Sequence, residues 1–328
     1  MGHATKSHPE NGRFPSLRDV FRAKRVISRF LPRTPLLHSK SLSSDLGFDV
    51  YLKYECVLPT RAFKVRGMVY YVNVMGDRIR KGIVVASTGN FAQAAAYAAS
   101  LAGLRSVIVM PHGVPENKVE AVRALGGEVV FHGNVFDESL DYAIEYSKKH
   151  DMTFVHSANE PLLFAGVGTM HLEVLEDLPD VSVVLNPIGG GSGACGAVIV
   201  YKAADPSIRV IGVQAEGASS FHQSLRSGRL VSTGRADTIA EGLATSRAYE
   251  LPFEILRGRI DDVILVSDGE MVRAIRELYR RERILAEPAG AASLAAAMRI
   301  RGALEGEKVV LMVTGCNLRT DLLREVLG

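Results

Sequence analysis

Nine short runs rich in Val, Ile and Leu punctuate the chain: DVYLKYE, GIVVAS, RSVIVMP, GEVVFHG, MTFVHSA, SVVLNPIGGG, IRVIGVQAE, DDVILVS and KVVLMVTG. Most are apolar almost throughout rather than alternating, as strands covered on both faces must be. The stretches between them are of helical length, and several close on glycine. The pattern predicts one helix over residues 91–101, ended by Gly103, and another over 114–125, ended by Gly126 and Gly127. Strand and helix in alternation are the rhythm of parallel sheets built from βαβ units, so the fold class is α/β.

At 328 residues the chain exceeds the size at which one core usually keeps growing, which predicts two lobes with a cleft between them. A 47% hydrophobic content with 23% charged residues describes an ordinary globular protein. The net charge is +3, but Lys and Arg are interleaved with Asp and Glu, leaving no patch fit for a phosphate backbone. Nucleic acid is therefore not expected as a partner. The longest apolar runs are of strand length, and the polar opening MGHATKSHPENG, expected to fray, lacks a signal peptide's apolar core. No membrane span is expected. Cys56, Cys195 and Cys316 are far apart and show no CxxC spacing, so neither a disulfide framework nor a zinc site is expected, and a cytoplasmic setting fits. The histidines, His112, His132 and His156 among them, show no ligand spacing.

In open parallel sheets, ligands bind beyond the carboxyl ends of strands, where loops run into helices. The loop Gly189, Gly190, Gly191, Ser192, Gly193 follows the strand SVVLNPI and precedes an apolar helix expected over 194–203. Backbone N–H groups there can close on a phosphate. The same glycines admit a rival: Gly191, Gly193 and Gly196 spell GxGxxG, with Glu216 where a ribose-binding acid belongs, which makes a dinucleotide-dependent oxidoreductase the distant alternative. That reading leaves Lys64 unexplained. Lys64 follows Phe63 just past the strand DVYLKYE, and partial burial beside Arg66 would depress its pKa as a nucleophilic lysine requires. Ser87, Thr88, Gly89 and Asn90, with Gln93, offer hydroxyls, an amide and free N–H groups to a carboxylate, more than a plain helix cap needs. Thr314 ends the last strand with a neutral hydroxyl suited to a ring nitrogen, although a strand-ending threonine is commonly only a β-former.

Taken together and in this order, these residues resemble the tryptophan-synthase-β-like (fold-type II) pyridoxal-phosphate enzymes, most closely the threonine/serine dehydratase and serine racemase branch. The likeness runs from LPRTPLLHS to VTGCN and includes AGVGT at Ala165–Thr169, TIAEGLA at Thr238–Ala244 and AEPAGAA at Ala286–Ala292. The resemblance implies two lobes, each an open, mostly parallel twisted sheet flanked by helices, with pyridoxal 5'-phosphate in the cleft. Residues 1–66 and 158–328 would form the large lobe and 67–157 the small mobile one. It implies that Lys64 of Ala62-Phe63-Lys64 carries the cofactor as a Schiff base and then acts as general base. Asn90 would meet the ring hydroxyl, the Ser87–Asn90 stretch the substrate carboxylate, Gly189–Gly193 the phosphate, and Thr314 the pyridine nitrogen. Phe63 would pack on the lysine stem and Glu287 near the ring.

The implied reaction is dehydration and deamination of a hydroxy amino acid such as L-threonine or L-serine to a 2-oxo acid and ammonia, in a homodimer. Threonine synthase, serine racemase and hydroxyaspartate or aryl-serine dehydratase chemistry are the alternatives. Four departures bear on this. Ser192 replaces a usual glycine beside the phosphate. Arg61 stands where many members have Gly, and would narrow the site's mouth or meet a substrate carboxylate. The 214–220 segment has lost most of the acidic residues with which racemase-type members hold a divalent metal, so no metal is expected. Thr88 occupies the racemases' second, serine base position, and a threonine there tells against efficient racemisation. The nearness of Thr314 to the last residue leaves no room for a feedback domain and favours an unregulated or catabolic role.

Overall fold

A computed structural model of the chain describes residues 14–327; the opening segment expected to fray lies outside the described residues. Ten strands form among the described residues: β1 (Leu36–His38), β2 (Asp49–Tyr54), β3 (Ile83–Ala86), β4 (Ser106–Met110), β5 (Glu128–Phe131), β6 (Thr153–Phe154), β7 (Val183–Pro187), β8 (Arg209–Ala215), β9 (Asp262–Val266) and β10 (Lys308–Val313). All nine apolar runs are strands. The tenth, β1, is three residues long and too short to show a pattern.

The strands make two sheets, in the orders β1-β2-β10-β7-β8-β9 and β5-β4-β3-β6. Every pairing is parallel except β1 with β2. The central strands are buried on both faces, as their continuous apolarity requires. The predicted helices form at Asn90–Leu101, Glu116–Ala124 and Ser192–Ala204. The second sheet comes wholly from within 67–157, but a boundary at 67 falls inside the Lys64–Met75 helix, which packs on both the Asn90–Leu101 and Pro161–Asp177 helices.

Because β10 lies between β2 and β7, and all three run in parallel, their carboxyl ends emerge side by side. Val313 pairs with Tyr54, so the residues just beyond each strand come together. One consequence corrects the sequence reading: Cys56 and Cys316, 260 residues apart, are joined in a disulfide, with Cα atoms 5.4 Å apart. Linear spacing carries no trace of that pairing, since strand order alone creates it. Cys195 is free and buried.

Beneath this edge lies a charged cluster that apolar patterning does not show. Arg66 is fully buried; its Nε donates to Glu55 Oε2 at 2.7 Å and its Nη1 to Glu173 Oε1 at 2.8 Å. Lys53 Nζ donates to Glu173 Oε2 at 2.6 Å and to the Thr34 carbonyl at 2.8 Å. Two cations thus face two carboxylates, and nearly every donor is used. Burial alone would raise the pKa of Glu173, but Arg66 and Lys53 outweigh it and hold it at about 2. Glu173 therefore contributes stability fully above its ordinary value of 4.5 and loses it as pH falls toward about 2. Arg66→Met leaves two buried carboxylates facing Lys53 alone and is expected to cost about 3–5 kcal/mol. Urea unfolding at neutral pH should show this as a lowered midpoint, and the mutational cost should shrink in acid.

Candidate active site

The shared edge of β2, β7 and β10, with the end of β3, opens on a cleft of about 700 Å³. Phe63, Lys64, the Ser87–Asn90 turn, Gln93, the Gly189–Gly193 loop, Glu287 and Thr314 all line it.

Lys64 opens the Lys64–Met75 helix. Its Nζ donates to Ser192 Oγ at 2.8 Å and lies 5.0 Å from the centre of the Phe63 ring. Burial lowers the amine's pKa to about 8. Of the two causes expected from the sequence, burial produces the shift, whereas the neighbouring Arg66 does not: that guanidinium is neutralised by Glu55 and Glu173. Ser192, read as a phosphate neighbour, also holds the lysine.

The glycine loop is shaped by close packing. A Cβ on Gly189 would stand 2.0 Å from the Gly242 carbonyl oxygen, and Gly191 has a φ of +94°, which side chains disfavour. Thr245 Oγ1 donates to the Gly189 carbonyl at 3.2 Å, fixing the loop from the TIAEGLA side. Gly191 caps the Ser192–Ala204 helix without any side-chain bond, so the first-turn N–H groups and the positive end of the helix dipole are left for an anion.

The Ser87 turn is built alike. Gly89 caps the Asn90–Leu101 helix with no side-chain bond, and the Gly89 N–H donates to Ser87 Oγ at 3.3 Å. Asn90 Nδ2 donates to Glu287 Oε1 at 2.7 Å, while Asn317 Nδ2 donates to Asn90 Oδ1 at 2.7 Å. Burial, reinforced by the charge of Glu241, raises the pKa of Glu287 to about 7 against the bond from Asn90. Thr314 is nearly buried, and its carbonyl accepts the Phe63 N–H at 3.1 Å, tying the last strand to the lysine segment.

Arg61 does not join these residues. It is exposed, holds a left-handed φ of 54° and stands outside the cleft lining, so the mouth-narrowing role expected of it has no support in its placement. The sequence reading also missed the charged rim. Lys118 pairs with Glu241 at 2.6 Å, and Arg247 pairs with Asp137, so two ion pairs bridge the segments of the two sheets across the cleft. TIAEGLA was legible as a signature, but nothing showed that its glutamate faces Lys118. Glu216 forms an ion pair with Arg299 at 3.0 Å, and among the described residues no His/Cys/Asp/Glu group could hold a metal.

A half-enclosed lysine of lowered pKa, next to an uncapped helix terminus at a strand-order switch point, defines an α/β enzyme shaped for a phosphate-bearing carbonyl cofactor. Its family is the pyridoxal-phosphate dependent enzymes, to which the chain belongs over residues 27–315. It is 36% identical to the L-threonine ammonia-lyase of Thermotoga maritima, over 95% of this chain and 78% of that one. Among solved structures, maize serine racemase matches with a TM-score of 0.90 at 30% identity, covering 95% and 96% of the two chains. The T.th. threonine deaminase matches with a TM-score of 0.88 at 34% identity, covering 93% and 99%. The family membership fixes pyridoxal phosphate as the cofactor and removes the dinucleotide reading of Gly191, Gly193 and Gly196. The site fits that cofactor, since added Cβ atoms on Gly189 and Gly191 would collide with the surrounding structure and no side chain caps the helix behind them.

The amine supplies a pH test. In protein freed of cofactor, the rate at which borohydride traps pyridoxal phosphate on Lys64 should climb through pH 8 and level off above it, following the unprotonated amine. A rate still climbing toward the ordinary lysine value of 10.5 would place the amine in water.

Proposed function

We propose that this chain is a lyase that removes water and then ammonia from a small hydroxy amino acid such as L-threonine or L-serine, giving a 2-oxo acid. The observation that carries this reading is the desolvated amine of Lys64, held by Ser192 at the mouth of the glycine cradle. The ammonia-lyase and deaminase names of the relatives support it.

Bound in the cleft, pyridoxal phosphate supplies an electron sink for charge developing at the substrate's α-carbon. Gly189–Gly193 and the N-terminus of the Ser192–Ala204 helix hold its phosphate through backbone N–H groups. Asn90 would hold the ring hydroxyl, with Glu287 and Asn317 fixing the amide. Phe63 packs on the lysine stem. Thr314 would face the ring nitrogen with a neutral hydroxyl, bringing no charge that would hold a proton there. Ser87, Thr88, Gly89 and Gln93 receive the substrate carboxylate at the uncapped start of the Asn90–Leu101 helix. Lys64 takes the α-proton as general base, because a pKa of about 8 leaves a usable unprotonated fraction near neutrality. The enamine product hydrolyses in water without further help.

The proposal includes a small lobe, residues 67–157, that moves against residues 1–66 and 158–328, with the rim pairs Lys118–Glu241 and Arg247–Asp137 holding the closed form. It also includes a homodimer without metal in a cytoplasmic setting, where the disulfide is then expected to be labile. No described helix is long and apolar enough to cross a membrane. Racemisation is the second reading, favoured by the likeness to maize serine racemase, while Thr88 on the cleft wall, in place of the racemases' serine base, counts against it.

A panel of hydroxy amino acids separates the two. Release of 2-oxo acid from threonine or serine is expected, together with an absorption band above about 400 nm that borohydride removes. Lys64→Ala should lose the band and about 10³-fold or more of the turnover. Inverted substrate without 2-oxo acid would give the site to racemisation.

A further inference from the structure

The Cys56–Cys316 bond occupies an unusual place: it joins the loop that leads to Lys64 to the loop that carries Thr314 and Asn317. Those loops are already tied by the Phe63 N–H to the Thr314 carbonyl at 3.1 Å, by the Ala62–Gly315 bridge, and by the Glu287 N–H to the Gly315 carbonyl at 3.1 Å. The ties continue past Gly315. Beyond it, the Cys316 N–H reaches the Arg61 carbonyl at 3.0 Å, and Asn317 Nδ2 bonds the Thr60 carbonyl at 3.0 Å and Asn90 Oδ1 at 2.7 Å. Asn317 thus sits directly beside the disulfide and bonds Asn90, which in turn bonds Glu287.

We propose that Cys56 and Cys316 form a reversible thiol–disulfide modification site, and that the closed bond fixes Asn317 as the positioning residue for Asn90 on the cofactor ring. The proposal rests on the pyridoxal-phosphate site described above. Cys316 is half-buried while Cys56 is 9% exposed, so a small thiolate reaches the Cys316 sulfur first. Attack there forms a mixed disulfide at Cys316 and releases Cys56 as a thiolate, which takes up a proton. A second small thiol attacks the mixed disulfide and leaves Cys316 as a thiol with the oxidised small-molecule disulfide as product. Two electrons and two protons pass to the protein, and a low-molecular-weight disulfide reverses the sequence. Buried Cys195 takes no part.

The test uses the holoprotein in buffers of oxidised and reduced dithiothreitol. Alkylation followed by mass spectrometry reports the thiols at 56 and 316, and the rate of pyridoxal phosphate loss on dilution, read by absorbance, reports the grip on the ring. Reduction is expected to expose both thiols and speed cofactor loss about tenfold, a size in keeping with a small misplacement of a contacting group, and reoxidation is expected to restore the slow rate. Asn317→Ala should lose cofactor at the fast rate in the oxidised state and respond no further to reduction. The Cys56→Ser/Cys316→Ser double variant, checked for folding by its thermal transition, should sit at the fast rate in every buffer. Thiols found free under oxidising buffer, or a cofactor-loss rate that ignores their state, overturn the proposal while leaving the lyase reading intact. Protein that retains no pyridoxal phosphate in either state overturns the reading of the site itself.

Discussion

The position of β10 between β2 and β7 determines almost everything at the site. A strand added at the end of the chain enters the middle of a sheet begun far earlier in the sequence, and parallel pairing sets its carboxyl end level with its neighbours'. The register Val313 to Tyr54 then brings Thr314 against Phe63, Cys316 against Cys56, and Asn317 against Thr60. Three loops distant in sequence become one wall because hydrogen-bonded strands leave no freedom in where their ends lie.

The charges below that wall hold it to the rest of the molecule. Arg66 is two residues beyond Lys64, Glu55 is one before Cys56, Lys53 is in β2, and Glu173 comes from the Pro161–Asp177 helix. Four ionised side chains in a dry interior persist only when mutually satisfied, so the cluster admits few arrangements of the elements that bear them. What it provides is less net stability than orientation: the first turn of the lysine helix is fixed to the Pro161–Asp177 helix, which packs directly against the Ser192–Ala204 helix behind the glycine loop.

The parts of this arrangement that are local were legible in the sequence. Continuous apolar runs located nine strands, and the Gly189 loop, read as an anion site because its glycines precede an apolar helix, lies on the cleft wall at an uncapped helix start. The resemblance carried Lys64, Asn90 and Thr314 to the positions that now line one cleft. What could not be read was set by contacts between distant segments. Cys56 and Cys316 looked unpaired because strand order is invisible in linear spacing, and Arg66 looked like an electrostatic neighbour of Lys64 because its partner Glu173 lies 107 residues away. Arg61 was read as a residue of the site's mouth from the family resemblance, whereas it is exposed, holds a left-handed backbone and is absent from the cleft lining.

The correction at Arg66 changes how the amine is understood. A lysine depressed by a neighbouring cation would regain its ordinary pKa whenever that cation moved or was screened by salt. A lysine depressed by enclosure depends instead on the walls, which are Phe63, Ser192 and the buried strand ends. Serine in place of the fourth glycine belongs to the same logic. Its hydroxyl accepts a hydrogen bond from Nζ without bringing a charge, so the amine is aimed while its desolvation is left in force. Asn90, Asn317 and Glu287 repeat the device on the other side of the cleft, where neutral amides hold a carboxyl whose own pKa burial has raised to about 7. Permanent ion pairs are confined to the scaffold and the rim, while the cleft holds neutral donors and acceptors together with Lys64 and Glu287, whose pKa values of about 8 and about 7 let each exchange a proton near neutrality.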